Sequence, residues 1–204
     1  MDLQLNAKIM KRISNMRRRP WGYKDKILIV VDAQNDFITG SLGSQEAQDI
    51  VPKIVDKINN HNDRIVITAD THYDNEYFNT LEGAYLPIKH CIAYGKGWEI
   101  EESIDKAVSR KDKDEYVFIK KHTFGSKEMV EYLNQSPYFV STIGSFELVG
   151  YVLDICVVSN ALLLKAFFPE IPITVDTTCC AATSQKAREA TIEVLRSCQI
   201  DVIE

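Results

Sequence analysis

The stretch VGYVLDICVVSNALLLKAFF, Val149 to Phe168, changes period partway along its length. Its first residues close SFELVG (145–150), a short apolar run of the kind a buried strand requires. Farther on, Val157, Ala161, Leu164 and Phe168 trace one face of a helix. Strand passing into helix is half of a βαβ unit, so the reading turns on whether the same alternation runs through the whole chain.

It does. KILIVV (26–31), RIVITA (64–69), EYVFIK (115–120) and IPITVD (171–176) read as further strands, with DVI (201–203) a short sixth. Between them, 42–60 reads as a helix with Ile50, Ile54 and Ile58 four apart. Helices are also expected over 99–110, 127–135 and 184–198, the last capped by Ser184. A long polar and aromatic segment fills 71–98. The alternation predicts an α/β fold, a mostly parallel sheet of about six strands covered on both faces. Right-handed crossovers put the carboxyl ends of the strands on one edge, where such folds bind ligands.

Composition narrows the function. Hydrophobic residues make up 45% and charged residues 26% of the 204, an ordinary soluble balance. The net charge of −5 argues against nucleic-acid binding. The most apolar stretch, Val149–Phe168, is interrupted by Asp154, Ser159, Asn160 and Lys165, so no membrane span is expected. Five cysteines, an odd number with no C-x-x-C, point away from a disulfide framework and toward a reducing, cytoplasmic setting. The absence of G-x-G-x-x-G and of a P-loop argues against dinucleotides and nucleoside triphosphates. Residues 1–25 read as a basic arm with Ile9, Ile13 and Met16 at helical spacing, and 26–204 as one α/β domain. The arm suits a solvated segment or packing between subunits of a homo-oligomer, with an anchor on an anionic surface as the alternative.

The strand ends carry the chemistry. The first ends in Asp32 and the second in Asp70, with His72 two residues on; the third ends in Lys120-Lys121 and the fourth leads to Asp154 and Cys156. Buried Asp and Lys are costly without partners, so their convergence on one edge implies a site. Cys156 falls near the first turn of a helix, where backbone N–H groups favour a thiolate and can hold an oxyanion. Cys91, beside His90, is a second candidate thiol; Cys179, Cys180 and Cys198 read as structural. In DTHYDNEYFNTLEGAYLPIKHC, the set Asp70, His72, Glu82 and His90 could hold one Zn²⁺, Mn²⁺ or Fe²⁺, although Asp74, Glu76 and His61 fit the spacing as well. His122 reads as a residue of the pocket rim.

LIVVDAQNDFITGSL, DTH with the later LPIKHC, KKHTFGS and GYVLDICV, in this order, resemble the isochorismatase-like cysteine hydrolases, and among these the nicotinamidases. The resemblance covers 26–204. It implies a three-layer α/β/α sandwich with Asp32, Lys121 and Cys156 as catalytic triad, Lys121 rather than Lys120 standing at the motif position. It implies a cis Tyr151–Val152 peptide and an oxyanion hole made by the N–H groups of Val152 and Cys156. Phe37 and Trp98 would contact the substrate. The divalent metal, zinc foremost, would sit on Asp70, His72 and His90. Some members place another His where this chain has Glu76; others use a Glu in the loop ahead of the last His, which Glu82 matches better. The implied function is a small-molecule amidohydrolase, nicotinamidase in NAD salvage. The alternatives are a hydrolase of another small amide, ureido or carbamoyl compound with the same triad, or an idle binding subunit. Leu86, Leu153 and Ile155 depart from the residues usual at or near these motifs, and they bear on the pocket wall more than on the reaction.

Overall fold

Ile27, Leu28, Ile29, Val30 and Val31 are completely buried, because both faces of their strand are covered. The computed structural model describes Gly22 and residues 24–204; the basic arm over 1–25 lies almost wholly outside the described residues. The strands are β1 (Asp25–Val31), β2 (Ile65–Asp70), β3 (Tyr116–Lys121), β4 (Ile143–Gly150), β5 (Ile173–Cys180) and β6 (Asp201–Ile203). The α-helices are α1 (Asn35–Ile38), α2 (Gln45–Asp49), α3 (Val51–Asn60), α4 (Leu81–Tyr85), α5 (Glu102–Ser109), α6 (Lys127–Leu133), α7 (Pro137–Ser141), α8 (Val158–Phe167) and α9 (Gln185–Ser197).

All six strands are parallel, in the order β3-β2-β1-β4-β5-β6. The alternation of side chains along β1 builds both outer layers. Ile27, Ile29 and Val31 join Met129 and Leu133 of α6, Ala161 and Leu164 of α8, and Leu195 of α9. Leu28 and Val30 face the other way, onto Ile54 and Ile58 of α3 and Ile104 and Val108 of α5. The direction of winding reverses between β1 and β4, which opens a crevice beyond their carboxyl ends. Among the described residues no helix is long and apolar enough to cross a membrane.

The expected elements shift at several ends. The helix expected over 42–60 is two. Ser44 caps α2 by accepting from the Ala47 N–H, and Pro52 in the first turn of α3 cannot continue the hydrogen-bond ladder of α2. The fifth strand runs on to Cys180, past its expected end at 176, and Lys121 lies inside β3 rather than beyond it. Ser184 caps α9, accepting from the Ala187 N–H.

One ion cluster with buried carboxylates and partly exposed lysines ties α3 to the sheet. Lys57 pairs with Glu147 of β4 at 2.5 Å and with Asp176 of β5, and Lys26 holds Glu147 from the other side at 2.5 Å. Burial raises both carboxyls, but the lysines outweigh it and hold both below the ordinary range. Lys57→Met is expected to cost about 2 kcal/mol, less than a fully buried pair because Lys26 and Thr178 still serve the carboxylates. Because the depressed carboxyls stabilise the fold above their ordinary values of 4.5 and 3.8, the deficit should be full at neutral pH. It should fade as pH falls through their lower folded values; urea unfolding across that range measures it.

Candidate active site and metal centre

Asp32 leaves β1 with φ +47, a left-handed conformation unusual for a residue with a side chain. The turn aims its carboxylate back under the sheet edge, where it is completely buried. Thr68 of β2 donates to its Oδ1 at 2.7 Å, and Lys121 Nζ stands 2.8 Å from Oδ2. Lys121 is also fully buried, and its ammonium reaches two further groups: Asp70 Oδ1 at 3.1 Å and Cys156 Sγ at 3.5 Å. One cation thus joins the ends of four neighbouring segments, β1, β2, β3 and the turn after β4.

That turn has an unusual form. Gly150 closes β4 at φ +122, and a Cβ there would lie 2.1 Å from the Val31 carbonyl oxygen, so only glycine lets β4 come this close to β1. The next peptide, Tyr151–Val152, is cis. Leu153–Val157 then form a single wide π-turn, with the Val157 N–H donating to the Val152 carbonyl, before α8 begins. Asp154 accepts from the N–H and the hydroxyl of Thr183 and ties this turn to the loop after β5. Asn160 donates to the Cys156 carbonyl at 2.7 Å. Cys156 is therefore carried on a π-turn and not on the first turn of an α-helix, as the sequence predicts. Its protonation also differs from that expectation. Burial pushes the thiol well up, Lys121 pulls it down, and Asp32 and Asp70 push it up again, so the resting sulfur holds its proton. Burial likewise raises Asp32 against the pull of Lys121, which makes its carboxylate a stronger proton acceptor.

The second cluster lies beside the first. Asp70, His72, Glu82 and His90 bring one ligand atom each within 4.8 Å of one another. His72 Nε2 is 2.9 Å from Asp70 Oδ2, and His90 Nε2 is 3.4 Å from both Asp70 Oδ2 and Glu82 Oε1. His90 Nδ1 faces the Ile88 carbonyl at 3.0 Å, which leaves Nε2 for the cluster. Two carboxylates around two imidazoles call for positive charge. Burial lowers His90, yet its bonds to Asp70 and Glu82 outweigh that and push it up to about 10. The same contacts from His72 and His90 overcome the burial of Asp70 and hold it well below the usual carboxylate range. Two nitrogens and two oxygens so arranged fit a divalent cation of the zinc type.

Of the competing residues, Glu76 is exposed, Asp74 pairs with Lys89 at 2.6 Å, and neither shares the cluster; nor does His61. Tyr77 sets the geometry of this segment: its hydroxyl donates to the Leu86 carbonyl at 2.7 Å, and its ring meets both imidazoles edge-on. Gln34 braces Asp70 from below, with its side chain bonded to both the N–H and the carbonyl of that residue. Neither Tyr77 nor Gln34 was singled out in the sequence, although a glutamine between Asp32 and Asn35 at a strand end is a visible cue. Cys91 is fully buried in the core and does not border the cavity.

Cys156 and the metal-type cluster of Asp70, His72, Glu82 and His90 line one cavity of about 860 Å³, and Asp32 and Lys121 lie fully buried behind that floor. Phe37, Tyr151, Val152 and Ile155 line its walls, and His122 stands at the rim. Trp98 does not line it. Its indole donates to Thr71 behind the cluster and packs on Phe118. No lysine or arginine is among the described residues that line the cavity.

Known proteins agree with this architecture. A family model described as the isochorismatase domain matches residues 26–204. A nicotinamidase/pyrazinamidase from Bacillus subtilis superposes with a TM-score of 0.76 at 21% identity, over 88% of this chain and 100% of its own. A pyrazinamidase of Pyrococcus horikoshii, solved in complex with zinc, gives 0.70 at 21% identity over 88% and 99%. An N-carbamoylsarcosine amidase from Thermoplasma acidophilum gives 0.65 at 21% identity over 88% and 96%. No curated protein sequence matches the chain. These likenesses establish the fold, and the match of the family model across 26–204 establishes the lineage: the chain belongs to the isochorismatase family of hydrolases.

Proposed function

We propose that this chain is a nicotinamidase-type amidohydrolase that releases ammonia from a neutral carboxamide through a thioester on Cys156. The observation that carries the reading is the Lys121 ammonium, shared by Asp32, Asp70 and Cys156 at 2.8, 3.1 and 3.5 Å. This sharing supports the reading, because it ties the thiol that borders the cavity and the cation-type cluster beside it to a fully buried carboxylate just behind the floor.

Asp32 accepts the Cys156 proton as the sulfur attacks the carboxamide carbon. The N–H groups of Val152 and Cys156 face the developing oxyanion. When the C–N bond breaks, Asp32 returns the proton to the leaving ammonia. Asp32 then deprotonates a water, which attacks the thioester carbon; the C–S bond breaks, the carboxylic acid leaves and the thiol is restored. Lys121 holds Asp32 in place throughout and keeps the carboxylate available between proton transfers. Asp70, His72, Glu82 and His90 would hold a divalent cation, whose chemistry is to anchor a ring nitrogen as a Lewis acid. The likeness to proteins described as nicotinamidases, one of them solved with zinc, supports this assignment. The lining residues also favour it over ureido and carbamoyl acids, because no lysine or arginine lines the cavity to receive their carboxylate.

The test is ammonia release from nicotinamide by the purified chain, before and after chelation. Turnover should fall by at least about 100-fold on metal removal and return with Zn²⁺. Absence of ammonia under every metal condition would sink the assignment to nicotinamide.

A further inference from the structure

The cavity is far larger than a single ring carboxamide requires. At about 860 Å³ it lies toward the upper end of the roughly 300–1,000 Å³ in which proteins enclose drug-sized ligands. Its two ends differ. Cys156, Asp70 and His90 on the floor are each 2–3% exposed. At the mouth stand Leu81, Tyr85 and Phe124, which are 76%, 85% and 47% exposed. They come from two separate segments, α4 and the loop after β3, yet border the same opening. Leu42, Leu86 and Ile155 continue the apolar wall inward.

Scattered exposed hydrophobic residues need no explanation, but three that rim the entrance to a reactive floor form a binding surface. The polar groups of the cavity are mostly neutral hydroxyls, the two imidazoles of the floor, His122, and the carboxylates Asp70 and Glu82. Such a lining penalises an anionic or strongly polar tail and rewards an uncharged apolar one.

We propose that the preferred substrate is a carboxamide bearing an apolar extension of several carbons, which runs from Cys156 outward to Leu81, Tyr85 and Phe124. This rests on the amidase reading only for the position of the cleaved group. Nicotinamide itself would fill the floor and leave the upper wall unused. Each methylene buried against that wall tightens binding about two- to fourfold.

The experiment uses full-length Cys156→Ala, which binds without turning over, with Zn²⁺ supplied. Calorimetry would compare nicotinamide with pyridine-3-carboxamides carrying propyl, butyl or phenyl groups on a ring carbon remote from the carboxamide. The phenyl and butyl compounds should bind at least about tenfold more tightly than nicotinamide. Adding Leu81→Ala, Tyr85→Ala and Phe124→Ala together should cut that ratio to below about threefold. These side chains are exposed, so the fold should survive, and thermal unfolding checks it. Equal, weaker or undetectable binding of the substituted amides overturns the proposal. So does a gain that survives the triple substitution, since the extension would then lie elsewhere. Ammonia release by the unaltered chain is measured in parallel. Its failure with nicotinamide would remove the nicotinamidase assignment and leave the binding ratio to decide this proposal by itself.

Discussion

Cys156→Ala is expected to lower ammonia release by at least about 10³-fold while leaving bound metal unchanged. The two readouts separate because of where the sulfur sits. Cys156 is outside the cluster of Asp70, His72, Glu82 and His90, and Lys121, which its sulfur meets at 3.5 Å, keeps ion pairs to Asp32 and Asp70 when the sulfur is gone. The cation site should therefore stay assembled in the variant. Truncating a small buried side chain costs at most about 1 kcal/mol, so the melting temperature should move by only a few degrees. A purified, folded, metal-loaded variant that keeps a tenth of the parent rate would rule out a thioester on this residue.

The second large effect concerns stability. Lys121→Met should cost about 3–5 kcal/mol, because it leaves two buried carboxylates facing each other without their shared cation. Asp32 suffers most. It is completely buried, and with Lys121 gone only Thr68 offers a hydrogen bond, so its carboxyl should be driven further above the ordinary 3.8. A carboxyl raised in the folded state is penalised once the pH exceeds its unfolded value. The deficit should thus be small near pH 4 and grow toward pH 7, about as far as the folded value of Asp32 climbs. Urea unfolding of both proteins at the two pH values measures this directly. A deficit that does not change with pH would mean that Lys121 acts through packing and not through charge. Activity should be lost as well, since a protonated Asp32 cannot accept the thiol proton.

The parts of this molecule that could be read from its residues are those that obey one rule at a time. KILIVV announces a strand covered on both sides because every position after Lys26 is apolar. Asp32, Asp70, Lys121 and Cys156 stand out because strand ends in an alternating fold converge on one edge. Lys121 was separable from Lys120 only through the resemblance; in the structure Lys120 lies over the rings of Tyr94 and Trp98 on the outside of the sheet. The π-turn around Cys156 has no periodic signature, because one extra residue in a turn is invisible to an apolar pattern that resumes at Val157. The break before α3 was masked by Ile50, Ile54 and Ile58, whose spacing runs unbroken across it, although Pro52 marked the place. The segment 71–98 was least legible. There the anchoring hydroxyl of Tyr77 and the short helix α4 decide that Glu82 joins the histidines while Glu76 points to water. The mouth formed by Leu81, Tyr85 and Phe124 exists only in three dimensions: Leu81 and Tyr85 share one face of the short helix α4, but Phe124 joins them from the distant loop after β3.

The π-turn also sets a constraint on length. Because it spends one residue more than a regular turn, the chain before it is rotated by about 100° relative to what an unbroken helix would impose. That offset lets Val157, Ala161 and Leu164 stay in the core while Cys156, their immediate neighbour, borders the crevice. Deleting a single residue between Leu153 and Ile155 would permit an ordinary helix of good composition, and the hydrophobic face could pack as before. The sulfur, however, would be swung out of line with Asp32. Between Gly150 and Val158 the residue count itself therefore carries the chemistry of this chain, because it fixes the direction from which the sulfur meets Lys121 and Asp32.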